Sequence, residues 1–129
     1  MLCTAAQGLL KMRRQKIYSQ KQTEKLNNLT AAEKERIDQI NELVHQLLKQ
    51  YDLETIKFEF GYGRFDGIFT GDRISLHLFV ALNSPIKVIR NIILHEVAHA
   101  IVGIIHKHRE IWQNKARELG VTWERRYHK

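Results

Sequence analysis

The chain has 129 residues, enough for one hydrophobic core but not for two, and 43% hydrophobic with 27% charged residues is the composition of an ordinary globular domain. A single cysteine, Cys3, excludes an intramolecular disulfide and a cysteine-based zinc ribbon, and no apolar run approaches the roughly 18 residues of a membrane-spanning helix. With no signal-peptide pattern at the start, an intracellular, cytoplasmic setting is the expectation.

The net charge of +7 is unevenly spread. Residues 1–28 carry six Lys or Arg against Glu24, residues 107–129 carry seven against three acids, and the segment between them carries eight against ten. Basic ends on a near-neutral centre fit attraction to a polyanion such as DNA. Solvated faces that keep the chain soluble account for the same charges without a partner.

In chain order, residues 1–28 begin apolar and turn polar and basic without sustained periodicity. They read as a basic, flexible arm or a marginal helix ahead of a domain at 29–129. Thr30-Ala-Ala-Glu33 has the form of a capping box. Behind it Ile37, Ile40, Leu43, Val44, Leu47, Leu48 and Tyr51 recur at spacings of three and four, the stripe of an amphipathic helix laid on a sheet. His45 in that helix reads as a boundary polar residue.

Ile56, Phe58 and Phe60 alternate with Lys57 and Glu59, a half-buried strand. Three glycines at 61, 63 and 67 then call for tight turning or a close backbone approach. Ile68-Phe-Thr70, a turn at Gly71-Asp72, and Arg73-Ile-Ser-Leu-His-Leu78 read as a hairpin of two further strands, with His77 simply a strand residue. Ser84 is a candidate cap and Pro85 a candidate first residue for the next helix, which runs to about Gly103. Arg109 to Leu119 reads as a last helix, with Ile111, Trp112, Ala116 and Leu119 on one side and Gly120 as its stop.

The helix before Gly103 holds His95-Glu96-Val-Ala-His99, the H-E-x-x-H spacing of zinc peptidases. At 3.6 residues per turn the two imidazoles share a face and can converge on one cation, while Glu96 sits about 100° round. A catalytic zinc takes three protein ligands and leaves a position for water, whose pKa it lowers; a carboxylate beside the ligands can take that water's proton. The alternative is a set of polar residues satisfied inside the core. Among Ile89, Ile92, Ile93, Val97 and Ile101, two histidines and a glutamate are costly to desolvate without a metal or partners.

A third ligand must come from His106 or His108. Were the helix to continue, His106 would lie about 10 Å further along the axis than His99, out of reach. The chain must therefore reverse at Gly103, and His108, at the start of the last helix, is placed to turn back.

These residues resemble the SprT-like zinc metallopeptidases, which include Spartan-type proteases and small phage and bacterial members. The similarity spans about residues 56–120: Gly-Arg-Phe-Asp at 63–66, Arg73-Ile-Ser-Leu76, the run 93–103, and His108-Arg-Glu-Ile-Trp112 leading to Gly120. A histidine four residues before an aromatic is that family's third zinc ligand, a pattern that falls on His108 and Trp112. Arg109 stands where the family usually has Gly, and the C-terminal zinc ribbon of many members is missing.

The elements in order give an α+β fold: an N-terminal helix, a small three-stranded and mostly antiparallel sheet, the helix carrying H-E-x-x-H, and a C-terminal helix. The resemblance makes this a minimal zincin-like domain. It implies one zinc ion on His95, His99 and His108, with Glu96 as general base for peptide-bond hydrolysis. The substrate would be a protein or peptide, for some members a protein crosslinked to DNA. It would lie along a strand edge, with Arg73 to Leu78 the expected edge. A non-catalytic, nucleic-acid-associated zinc-binding protein is the competing expectation.

Overall fold

The protein is described by a computed structural model over residues 20–61 and 64–122. The elements are α1 (20–26), α2 (Ala31–Gln50), β1 (Lys57–Phe60), β2 (Gly67–Phe69), β3 (Arg73–Leu76), α3 (Leu78–Asn83), α4 (Ile86–Val102), a 3-10 turn at Ile104–His106 and α5 (Glu110–Leu119). This is an α+β arrangement. Residues 1–19 of the expected arm and 123–129 of the basic C-terminal segment lie outside the described residues. No helix among the described residues is long and apolar enough to cross a membrane.

The capping box forms as the sequence predicts. Glu33 N–H donates to Thr30 Oγ1 at 3.1 Å and Thr30 N–H donates to Glu33 Oε1 at 2.9 Å, which satisfies two donors left open at a helix start. The stripe of α2 buries Ile37, Ile40, Val44, Leu47 and Leu48, mainly against α4 and α3.

The sheet departs from expectation. Its order is β1-β3-β2, with β1 parallel to β3 and β2 antiparallel to it, so it is mixed rather than mostly antiparallel. The β2–β3 hairpin forms across Gly71-Asp72, but it is laid so that its second strand enters beside β1. Alternation within a strand fixes which residues face the core and says nothing of which strands are neighbours. As the central strand, β3 buries Ile74, Ser75 and Leu76 consecutively.

The third strand also stops early. Leu76 ends it, and His77 (φ −62, ψ 125) becomes the N-cap of α3, a helix the local pattern does not reveal. A distant residue stabilises that start: the Oε1 of buried Gln22 in α1 accepts from Leu78 N–H at 2.8 Å. Ser84 is the C-cap of α3, not a side-chain cap of α4, and Pro85 occupies the N-cap of α4.

Helix α4 runs through the middle of the domain. Every residue from Asn91 to His99 is buried, because α2, α5 and strands β2 and β3 all pack against it. A helix surrounded in this way must be apolar all round, which explains the Ile-Ile-Leu run ahead of His95. Each of Ile89, Ile92, Ile93, Leu94 and Val97, all at most 1% exposed, stabilises the fold by about 2 kcal/mol on burial.

Candidate metal centre

The three expected histidines converge. His108 Nε2 lies 3.1 Å from His95 Nε2 and 3.1 Å from His99 Nε2, and all three ligand atoms fall within 4.8 Å of one another. His95 and His99 are buried on α4, and His108 is exposed. One ring nitrogen holds either one lone pair or one proton, so His108 Nε2 cannot form a good hydrogen bond to both neighbours at once. A shared cation satisfies all three. Tetrahedral zinc with Zn–N near 2.0–2.1 Å spaces its ligand nitrogens about 3.3 Å apart, close to the separations found.

The ligand from the second segment arrives by two left-handed steps. Gly103 ends α4 with φ 97 and ψ 139, where a side chain would be strained. The 3-10 turn follows, then Lys107 with φ 48, and the chain comes back with His108. Gly103 is thus half of the reversal. His106 falls on the 3-10 turn and is not a member of the cluster, and neither is His45 nor His77.

Trp112 forms the floor. Fully buried, its ring centroid is 4.6 Å from that of His95, 5.2 Å from His99 and 4.7 Å from His108, stacked on His99 at 25°. Its Nε1–H donates to the carbonyl of His95 at 3.3 Å, fixing the indole to the helix that carries two of the ligands. Ala98 and Ala116 pack beside it, and their small side chains let α4 and α5 approach. Beyond α5, Asn91 holds the chain in both directions: its Nδ2 donates to Thr122 O at 3.2 Å and its Oδ1 accepts from Thr122 N–H at 2.9 Å.

Glu96 lies against the other wall. Its Oε2 is 3.9 Å from His95 Nε2, and it accepts a hydrogen bond from the backbone N–H of Phe69. Thr70 and Asp66 pair with Arg73 and His77 across the hairpin, so alternation points the amides of Gly67 and Phe69 away from β3. That leaves Phe69 N–H free for Glu96. The strand can come this close because residue 67 is glycine: a Cβ there would stand 2.7 Å from Ile92 Cγ2 and 3.6 Å from Glu96 Oε2.

Burial governs the protonation states. Desolvation pushes the Glu96 carboxyl up to about 8, opposed by the Phe69 hydrogen bond. Desolvation, then the charge of His108, pushes His99 down to about 4, so His99 stays a neutral imidazole ready to ligate.

A cavity of about 340 Å³ opens onto the cluster. It is lined by Phe65, Gly67, Ile68 and Phe69 of the β2 segment, by His95, Glu96 and His99 of α4, and by Lys107 and His108. Sequence patterns single out the histidines, Glu96 and the aromatic at 112. They miss Lys107, Asn91 and the Phe69 amide, although three glycines at 61–67 do announce a close backbone approach. Three imidazole nitrogens, two of them held by a buried helix, with a carboxylate alongside, lie close enough together to bind a metal ion. Comparison of the chain with known protein families, with curated proteins and with solved structures found no match.

Proposed function

We infer that this protein is a zinc-dependent metallopeptidase of SprT-like, zincin-like type, with His95, His99 and His108 as ligands and Glu96 as the general base. The observation that carries the reading is the placement of Glu96 beside the three converging nitrogens, at the base of a cavity bordered by a strand edge. A structural zinc site is normally closed by a fourth protein ligand, whereas among the described residues this group comprises three side chains.

Zinc, when bound, supplies Lewis acidity that polarises a carbonyl and makes water acidic near neutral pH. The protein's own groups do the rest. Glu96 takes the proton of the attacking water and returns it to the leaving amine, while Phe69 N–H holds the carboxylate in the orientation for both transfers. Burial alone would leave Glu96 largely protonated at neutral pH, and the charge of a bound cation beside it would favour the ionised form that accepts a proton. Trp112 holds the imidazoles in place from below. An extended peptide would lie along β2, whose Gly67 backbone groups point outward, rather than along β3, which is hydrogen-bonded on both sides.

The basic residues at the two ends of the chain support recruitment to DNA-associated proteins as substrates. The test is cleavage of a DNA-bound protein substrate by the zinc-loaded protein, with and without DNA. Wild type should cut and Glu96→Gln should retain zinc but not cut. Activity that survives Glu96→Gln removes the mechanism, and stoichiometric zinc without cleavage of any protein favours the non-catalytic nucleic-acid-associated alternative.

A further inference from the structure

Lys107 holds a left-handed backbone, φ 48, between the 3-10 turn and His108. The return of His108 requires that conformation, but glycine would supply it with less strain than lysine. The turn therefore does not account for the side chain. Packing does not account for it either, since Lys107 is exposed. Strained positions persist at sites where a particular side chain is needed, which directs attention to what this one borders.

It borders the cavity over the three histidines, which Phe65, Gly67, Ile68 and Phe69 also line. Among the described residues lining that cavity Lys107 carries the one ammonium, and Glu96, the one carboxylate, is buried. An apolar wall with the Lys107 ammonium on the same cavity, and the Arg64 guanidinium 5.6 Å from the Phe65 ring centroid outside it, complements a ligand that carries an apolar side chain and a negative charge a short distance away.

We propose that Lys107 is the specificity-determining residue of this cavity, selecting peptides that carry a carboxylate within about two residues of an apolar side chain seated against Phe65 and Ile68. That the ligand is a peptide rests on the metallopeptidase reading. The carboxylate is either an acidic side chain or the free C-terminus, chemically equivalent for an ammonium on a flexible stem.

Three labelled peptides of one sequence separate the sources: internal Asp with an amidated C-terminus, Asn with an amidated C-terminus, and Asn with a free C-terminus. Their affinities for the zinc-loaded Glu96→Gln protein are read by fluorescence polarisation, with no turnover required. One of the two acidic peptides should bind about 3- to 10-fold more tightly than the neutral one at low salt, and the preference should shrink as salt rises. It should persist with Lys107→Arg and vanish with Lys107→Gly, whose melting temperature should equal or exceed that of the parent. Equal binding of all three peptides, absence of binding, or a preference that survives Lys107→Gly overturns the proposal. Binding with the expected preference but no cleavage by the Glu96 protein overturns the peptidase reading instead.

Discussion

Gly67 on β2 and Ile92 on α4 approach so closely that a Cβ on the glycine would stand 2.7 Å from Ile92 Cγ2. No torsion of the isoleucine relieves this freely, because Ile92 is 1% exposed and enclosed by the core. Gly67→Ala should therefore lower the unfolding free energy by about 1–3 kcal/mol in urea titrations, as overpacking does elsewhere. Peptide cleavage should fall further than stability, since the strand that moves also carries the Phe69 amide that holds Glu96.

Trp112 separates packing from ligand orientation. Trp112→Ala removes the floor beneath three imidazoles and should cost about 3–5 kcal/mol. Trp112→Phe keeps a ring in place but loses the hydrogen bond to the His95 carbonyl. Its expected signature is a 10- to 100-fold weaker zinc affinity in chelator competition, roughly the effect of losing an outer-shell partner, with a much smaller stability loss.

The metal-free protein should show an opposing pair of pH dependences. Glu96 is pushed up to about 8 in the folded state, against an ordinary 4.5, so its contribution is fully present below 4.5 and is lost as pH rises toward 8. His99 is pushed down to about 4 from 6.5, so its contribution is present above 6.5 and lost as pH falls toward 4. Between 6.5 and 8 only the Glu96 loss operates among these two. Thermal melts of the metal-free protein should decline across that window, and Glu96→Gln should abolish the decline.

His108 and His106 are separated by one residue, yet only His108 joins the cluster. His108→Ala should sharply reduce zinc content by elemental analysis while leaving the metal-free melting temperature nearly unchanged, because His108 is exposed. His106→Ala should leave zinc content at the wild-type level. Chelation of the wild-type protein should lower its melting temperature, and saturating zinc should restore it by mass action.

Much of this arrangement is legible in the sequence because its signals are local. The Thr30–Glu33 box, the stripe of α2, the Gly71-Asp72 turn and the one-turn spacing of His95 and His99 each need only a few neighbouring residues to declare themselves. The reversal at Gly103 follows from the reach of a helix. The parts that escape are those decided by distant partners. Gln22 starts α3 from 56 residues away, β3 inserts between β1 and β2, and Ile111, expected on the inner side of α5, is 52% exposed. Lys107 escapes for a different reason: a lysine between two histidines carries no mark of a left-handed backbone.

The reversal that returns His108 spans a short stretch of chain. His99 and His108 are nine residues apart, and His95 and His108 thirteen. Closing a loop of that length costs little conformational entropy, so bringing the three imidazoles together is a local matter. The placement of Glu96 is not local, because Phe69 N–H and Gly67 reach it from a sheet docked on α4. The cluster of nitrogens therefore depends on one continuous stretch of chain, whereas the carboxylate beside it is set by the docking of a sheet built from another.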